Sequence, residues 1–155
     1  MAVLESAKEL QQVLEKFKIG NDILKITEMK SGHINTTYLV DTVDVDGNNK
    51  AYVVQRVNTY VFKNPVAVMD NIDKVTGFIR KDHPHSSLHY HHTEDGKNYI
   101  MNNEVFWRLY TYREGDAFNE CSTDVLEAVG KAFGEFQLML QDFDSTSLIE
   151  TIPDF

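Results

Sequence analysis

The chain has 155 residues, of which 42% are hydrophobic and 25% charged, so it can form one domain with a hydrophobic core and is not a disordered sequence. Its formal net charge of −9 at pH 7 disfavours nucleic acid as a partner, because phosphate backbones need clustered Lys and Arg. No run approaches the roughly 20 apolar residues of a membrane span, and the N-terminus does not resemble a signal peptide, so we expect a cytoplasmic protein without membrane partners.

The first half of the chain is predicted to form a helix followed by three strands. Apolar residues recur at three- and four-residue steps over residues 3–18, which is the pattern of an amphipathic helix. Strand-like composition is found over residues 23–30, 34–45 and 51–57. The turn sequence Asp46-Gly47-Asn48-Asn49 joins the last two, so we expect them to be antiparallel neighbours.

The second half is predicted to contain two further helices and two further strands. Asn64-Pro65 is an N-cap followed by Pro at the first helical position, and a helix is expected from there to about Arg80. Residues 83–97 are polar and without periodicity, which indicates a loop. The remaining elements are expected as strands over 99–101 and 104–112, a polar connector, and a helix over 124–143.

The predicted order of elements is that of a protein-kinase-type N-lobe: three strands, a helix, two strands and then a connector into a helix. We therefore predict an α+β fold in which a five-stranded antiparallel sheet carries one packed helix. The N-lobe would span residues 1–112, with the helix 3–18 as an N-terminal extension. Residues 113–121 would form the hinge, and residues 122–155 would form the start of a truncated C-lobe. Element order alone is shared by many α+β domains.

The first predicted hairpin carries small and hydroxyl side chains where a kinase places the loop that covers the phosphates. The run Ser31-Gly32-His33-Ile34-Asn35-Thr36-Thr37 would let backbone N–H groups approach triphosphate oxygens, and its hydroxyls add donors. One glycine falls short of the full glycine-rich pattern. An ordinary hairpin turn is the alternative.

The third strand carries Gln55-Arg56 where kinases have a phosphate-binding Lys. Successive side chains of a strand point to opposite faces, so only one of the two can face the cleft. Chemistry favours Arg56, because a guanidinium suits phosphate, while an exposed surface Arg is the alternative. On the second helix, Asp70 and Asp73 are candidate carboxylate partners for that cation, and a solvated helix face explains them equally well.

Several segments together resemble one family, the N-acetylhexosamine 1-kinase-like branch of the aminoglycoside phosphotransferase and choline kinase superfamily, some of whose members are labelled mucin desulfatases. The segments follow the family's order from about Lys25 to the last residue. They are Gly32-His33-Ile34-Asn35-Thr36-Thr37-Tyr38, Val54-Gln55-Arg56-Val57-Asn58, Val61-Phe62-Lys63-Asn64-Pro65 with Met69-Asp70-Asn71-Ile72, Trp107-Arg108-Leu109-Tyr110, Gly130-Lys131-Ala132-Phe133-Gly134-Glu135-Phe136 and Ile152-Pro153-Asp154-Phe155.

This resemblance implies ATP- and Mg²⁺-dependent phosphorylation of a sugar hydroxyl, with an N-acetylhexosamine as the expected acceptor. It implies that the loop of Ser31, Gly32, His33, Asn35 and Thr36 lies over the phosphates and that Gln55 or Arg56 reaches them. Asp70 would support that cation. The backbone of Tyr110, Thr111 and Tyr112 and on to Arg113 would pair with adenine at the hinge.

The catalytic part of such an enzyme is not recognisable in this sequence. Phosphoryl transfer needs an Asp that positions the acceptor hydroxyl and oxygen ligands for Mg²⁺. The nearest candidate, Asp142-Phe143-Asp144, lacks the preceding His and trailing Asn and is interpreted as a helix C-terminus. We expect a truncated phosphotransferase with no turnover of its own. The apolar face of helix 124–143, including Phe133, Phe136 and Leu140, would then be exposed and favour a homo-oligomer.

Two other functions stay open from the sequence. Histidines crowd the loop 83–97, and neutral imidazoles bind Zn²⁺, Ni²⁺ or Cu²⁺, although the spacing matches no structural zinc site. These histidines are His83, His85, His89, His91 and His92. The chain could also be a non-catalytic binding module, a remnant of a kinase that only contacts a partner.

Overall fold

The computed structural model describes residues 2–30 and 32–153. Within them the chain forms an α+β fold of three α-helices and one five-stranded antiparallel sheet, as predicted. In chain order the elements are α1 (Ala2–Lys16), β1 (Asp22–Met29), β2 (Thr36–Val43), β3 (Asn49–Arg56), α2 (Pro65–Asp82), β4 (Ile100–Asn102), β5 (Val105–Thr111), α3 (Thr123–Met139) and a short 3₁₀ turn at Ser145–Ser147.

The order of the strands in the sheet is β1-β2-β3-β5-β4, and every neighbouring pair is antiparallel. The β2–β3 turn is held by Asp44, whose Oδ1 accepts from the N–H groups of Asp46 and Asn48 at 3.0 and 2.8 Å. The predicted turn is thus observed. Since β2 lies between β1 and β3, the β1–β2 connection sits beside the C-terminal end of β3, where Thr36 pairs with Arg56 and Thr37 with Gln55.

One face of the sheet, the α1 face, is covered by the amphipathic N-terminal helix. Leu10, Val13, Leu14 and Phe17 of this segment are at most 2% exposed, and they pack with the largest buried side chain, Trp107. The other core residues on this face are Ile19, Val40, Tyr52, Val54, Ile100 and Leu109. Burying a side chain of this kind contributes about 1.5–3 kcal/mol. The helix is therefore an integral layer of the fold, and its prediction as an extension to a sheet with one packed helix is corrected.

The opposite face, the α2 face, is covered in part by the second helix. Asn64 caps that helix as predicted, because its Oδ1 accepts from the amide of Ala67 at 3.1 Å. A smaller core forms beneath it from Val57, Met69, Tyr90 and Phe106. This helix covers only one end of the sheet and leaves space next to β3 and β5.

Two element predictions need correction. The segment 83–97 is not wholly loop, since Tyr90 forms a β-bridge with Tyr110 along the edge of β5. The last helix ends at Met139 rather than at residue 143, because the amides of Leu140 and Phe143 bond to carbonyls three residues back in tighter turns. No helix in the described ranges is long and apolar enough to cross a membrane.

Candidate functional site

A cavity of about 360 Å³ lies on the α2 face of the sheet, below the connection between β1 and β2. Alternation along the paired strands brings Val53, Gln55 and Tyr110 to the same face, and Tyr112 and Arg113, which follow β5, complete this side of the lining. We call it the hairpin cavity, and its lining residues are Met29, Gly32, Thr37, Val53, Gln55, Leu88, Tyr110, Tyr112 and Arg113. It therefore brings together the predicted loop, the third strand and the predicted hinge.

Gln55 is the polar centre of the hairpin cavity, and both ends of its amide are engaged. Its Nε2 donates to Oγ1 of Thr37 at 3.1 Å, and its Oε1 accepts from Nε of Arg108 at 2.8 Å. A guanidinium has donors only, so it can bind only the oxygen of the amide. The NH₂ group of Gln55 is consequently directed to the hairpin side.

Arg56 does not belong to the hairpin cavity, contrary to the preference that its chemistry suggested. It lies on the other face of β3, is exposed, and lines a separate cavity of about 300 Å³ together with Thr36, Asn58 and Tyr60. The reason is the strand alternation itself, because Gln55 already occupies the α2 face.

The loop over the hairpin cavity divides into a part near the cavity and a part that holds the fold. Gly32 is exposed, and a Cβ placed on it would meet no atom within 4 Å. His33 is also exposed, whereas the side chain of Asn35 accepts from the amide of Asn58 at 2.9 Å and ties the hairpin to the end of β3. Ser31, predicted as part of this loop, lies outside the described residues.

Asp70 and Asp73 of α2, the two candidate partners, are paired with other groups and support neither Arg56 nor Arg108. Asp70 is half exposed and forms an i, i+4 ion pair with Lys74 at 2.7 Å. Asp73 lies 2.8 Å from Nε2 of His92. The predicted role of Asp70 as a carboxylate partner for a cation on β3 therefore has no contact that supports it.

Backbone amides of the predicted hinge, which were expected to pair with adenine, are already bonded within the fold. The amide of Thr111 donates to the carbonyl of His89 at 3.0 Å, and the amide of Tyr112 donates to that of Ala51 at 2.9 Å. Tyr110 is paired with Val53 inside the sheet. The first amide beyond these bonds is that of Arg113, so backbone pairing with a base would begin there.

Three residues of the histidine-rich segment, His89, His91 and His92, contact other parts of the fold through their side chains. Oγ1 of Thr111 lies 2.9 Å from Nε2 of His91, and Nη1 of Arg80 lies 2.7 Å from Nδ1 of His89. Burial lowers the pKa of His91 to about 4, and the neighbouring His89 and His92 act in the same direction. In the described part of the chain, no group of three or more His, Cys, Asp or Glu side chains is placed to hold a metal ion.

The third helix presents its apolar side to solvent, as predicted. Every residue of α3 is exposed or partly exposed, and Phe133 and Leu138 are 68% and 66% exposed. Phe136 lines a second, apolar cavity together with Ile72 and Val75 of α2. Beyond the helix, Asp144 caps the 3₁₀ turn by accepting from the amide of Thr146 at 3.0 Å, which is a structural role.

No protein-family model matches the chain. The site is thus defined by its geometry, which brings Gly32, Gln55, Tyr110 and Tyr112 of the predicted residues around one cavity.

Arg108 does not line the hairpin cavity but bonds to Gln55, and sequence reasoning missed this connection. It lies directly across from Gln55 in the β3–β5 pairing. The sequence did contain an indication, because Arg108 and Tyr110 are two residues apart on one predicted strand and must lie on the same face. Without the pairing register, that relation did not connect Arg108 to Gln55.

Proposed function

We propose that this chain is the nucleotide-binding lobe of a kinase-like small-molecule phosphotransferase. The observation that carries the proposal is that a single cavity is lined by the β1–β2 hairpin at Gly32, by Gln55 of the third strand and by Tyr112 at the start of the connector. In kinases the corresponding three parts cover the phosphates, contact them, and border the base.

The strand pairing supports this proposal. A kinase-type lobe needs its phosphate-covering hairpin next to the third strand, and the pairing of Thr37 with Gln55 provides that neighbourhood. The aromatic rings of Tyr110 and Tyr112 at the other end of the cavity offer apolar surface suited to a purine. ATP is accordingly the proposed ligand, and in a complete enzyme Mg²⁺ would accompany it.

A sugar acceptor, with N-acetylhexosamine as the favoured class, rests on the family resemblance of the sequence alone. A cytoplasmic location is proposed as well, from the amino-acid sequence and not from the resemblance. In such an enzyme the Asp that orients the acceptor and the ligands of Mg²⁺ come from a loop for which this sequence offers no candidate, so the chain is proposed to bind nucleotide without turning it over.

Titration with ATP, followed by amide chemical shifts in a ¹⁵N-labelled sample, tests the proposal directly. We expect the shifted amides to cluster around Gly32, Gln55 and Arg113. At ten times the dissociation constant, the ligand should also raise the free energy of unfolding by about 1.4 kcal/mol. Shifts that cluster instead around Arg56 and Tyr60, on the other face of the sheet, would contradict the assignment of this cavity.

A further inference from the structure

A half-buried cation lies beside the hairpin cavity without a neutralising partner. Arg108 is partly buried on the α2 face, and among the side chains described, those of residues 7–30 and 32–153, no carboxylate lies within 4.0 Å of its guanidinium nitrogens. Its Nη1 contacts the sulfur of Met69 at 4.0 Å, and its guanidinium carbon lies 5.9 Å from the centre of the Tyr90 ring. Buried charges are usually paired, so an unpaired one marks a place for an anion.

The acids that could have paired with Arg108 are engaged elsewhere on α2. Asp70, the residue next to Met69, binds Lys74, and Asp73 binds His92. In a kinase the helix carboxylate at this place holds the phosphate-binding Lys. Here the helix presents Met69 to the guanidinium, and this thioether leaves the positive charge uncompensated.

The charge of Arg108 acts on the wall of the hairpin cavity. Burial raises the pKa of Tyr110, which lines the cavity, and the guanidinium opposes that rise by favouring the phenolate. Burial also raises the pKa of Tyr90, and the charge of Arg108 again acts to lower it. A negatively charged ligand in this space would feel the same attraction.

Gln55 connects this charge to the hairpin. Nε of Arg108 donates to Oε1 of Gln55, and the amide nitrogen of Gln55 donates one of its two N–H groups to Thr37. The second N–H group remains for a ligand below the loop. Nε of Arg108 is used by Gln55 and Nη1 contacts the Met69 sulfur, so among the described residues Nη2 is the terminal nitrogen left for a ligand. A guanidinium stays charged at every physiological pH.

We infer that Arg108 and Gln55 form the phosphate-binding pair of this lobe, in which the cation is carried by β5 and the oriented amide by β3. Arg108 supplies the positive charge for a di- or triphosphate chain, and its bond to Gln55 holds the amide with its NH₂ group toward the phosphates. The inference rests on the proposed function, since it names the groups that would hold the nucleotide in the hairpin cavity.

The test is isothermal titration of wild type and variants with ATP, inorganic tripolyphosphate and adenosine. Replacing Arg108 by Gln should weaken ATP and tripolyphosphate binding about 10- to 100-fold, the range of a charged hydrogen bond, and leave adenosine binding unchanged. Arg56→Gln is the matched control, because it removes the same charge from the opposite face, and it should change none of the three affinities. Gln55→Glu should weaken both phosphate ligands, since the new carboxylate neutralises Arg108 and repels phosphate.

The outcomes separate the inference from the proposed function. ATP binding that is equal in wild type and Arg108→Gln overturns the phosphate-binding pair and leaves nucleotide binding standing. An equal loss in Arg56→Gln and Arg108→Gln also overturns it, because the effect would then be one of net charge. A wild-type protein that binds neither ATP nor tripolyphosphate contradicts both the phosphate-binding pair and the proposed nucleotide-binding function. If Arg108→Gln does not fold, tripolyphosphate affinity is measured in Gln55→Glu and Arg108→Lys instead. An unchanged affinity in Gln55→Glu rejects Arg108 and Gln55 as the phosphate-binding pair.

Discussion

Asn21 donates a hydrogen bond from its Nδ2 to Oγ1 of Thr42 over 3.0 Å, and Thr42 is fully buried. The hydroxyl of Thr42 also donates to the carbonyl of Lys50 at 3.2 Å. This buried hydroxyl joins the connection after α1 to the middle of the sheet.

Replacing Thr42 by Val should lower the free energy of unfolding by about 1–3 kcal/mol, because the amide of Asn21 loses its acceptor inside the protein. Urea denaturation measures the change. Thr42→Ser is the control, because it keeps the hydroxyl and loses only a methyl group, worth about 0.8 kcal/mol. A valine variant as stable as wild type would show that the hydrogen bond contributes nothing net.

Gly32 should matter for ligand binding and not for folding. Its surroundings are open, so Gly32→Val should change the free energy of unfolding by no more than about 0.5 kcal/mol. The branched side chain would nevertheless obstruct the space over the hairpin cavity and weaken ATP binding at least about tenfold, or about 1.4 kcal/mol.

Gly20→Val is the matched control for that experiment. Gly20 is exposed and equally unobstructed, and it lies in the connection between α1 and β1. Calorimetric ATP affinities should therefore differ between the two valine variants. Equal affinities would remove the hairpin at Gly32 from the binding site.

Stability should fall as the pH drops below about 6.5, in part because of His91. The folded-state pKa of about 4 lies below the unfolded value of 6.5, since burial penalises the imidazolium. The unfolded chain therefore binds a proton at His91 at a pH where the folded chain does not. The stability that neutral His91 contributes to the folded state is complete above pH 6.5 and is lost progressively toward pH 4. The pKa of His89 is lowered as well, first by burial and then by Arg80.

Urea denaturation at about pH 7.5 and pH 5 checks this dependence. His91→Asn should lose less stability between the two values than wild type does, because Asn cannot be protonated. His85→Gln, at an exposed position, should behave like wild type. A histidine variant with unchanged pH dependence would mean that other groups titrate in this range.

The exposed side of α3 should cause self-association. Val129, Phe133 and Phe136 lie three or four residues apart on one side of α3 and are 46%, 68% and 43% exposed. Exposed apolar side chains in this arrangement favour contact with a second copy of the chain. Sedimentation velocity should show a concentration-dependent dimer that Phe133→Glu weakens. Val45→Glu introduces the same charge at the β2–β3 turn, where Val45 is 95% exposed, and should leave the dimer intact. A monomeric wild type at all concentrations would reject the prediction.

Much of the fold was predictable because its local signals agree. Periodicity located α1, the Asn64-Pro65 cap located α2, and the turn after Asp44 fixed the β2–β3 hairpin. The bridge of Tyr90 to Tyr110 was not predictable, because pairing of a single residue leaves no alternation in the sequence.

The direction of Gln55 and Arg56 could not be predicted for a physical reason. Tyr52, Val53 and Val54 are all buried although their side chains alternate between the two faces of β3, so the usual contrast between an apolar and a polar face is missing. The pairing with β5 decides the direction, and pairing depends on contacts far apart in sequence. Arg108 was missed for the same reason.

The end of β5 is clamped from two sides, with Tyr112 bonded to Ala51 on one flank and Thr111 bonded to His89 on the other. A strand held in this way cannot swivel at its last residues without breaking sheet hydrogen bonds. Any swing of α3 relative to the sheet must then pivot at Arg113 or later, so the strand residues of the hairpin cavity, Val53, Gln55 and Tyr110, would keep their positions while the rest of the chain moves.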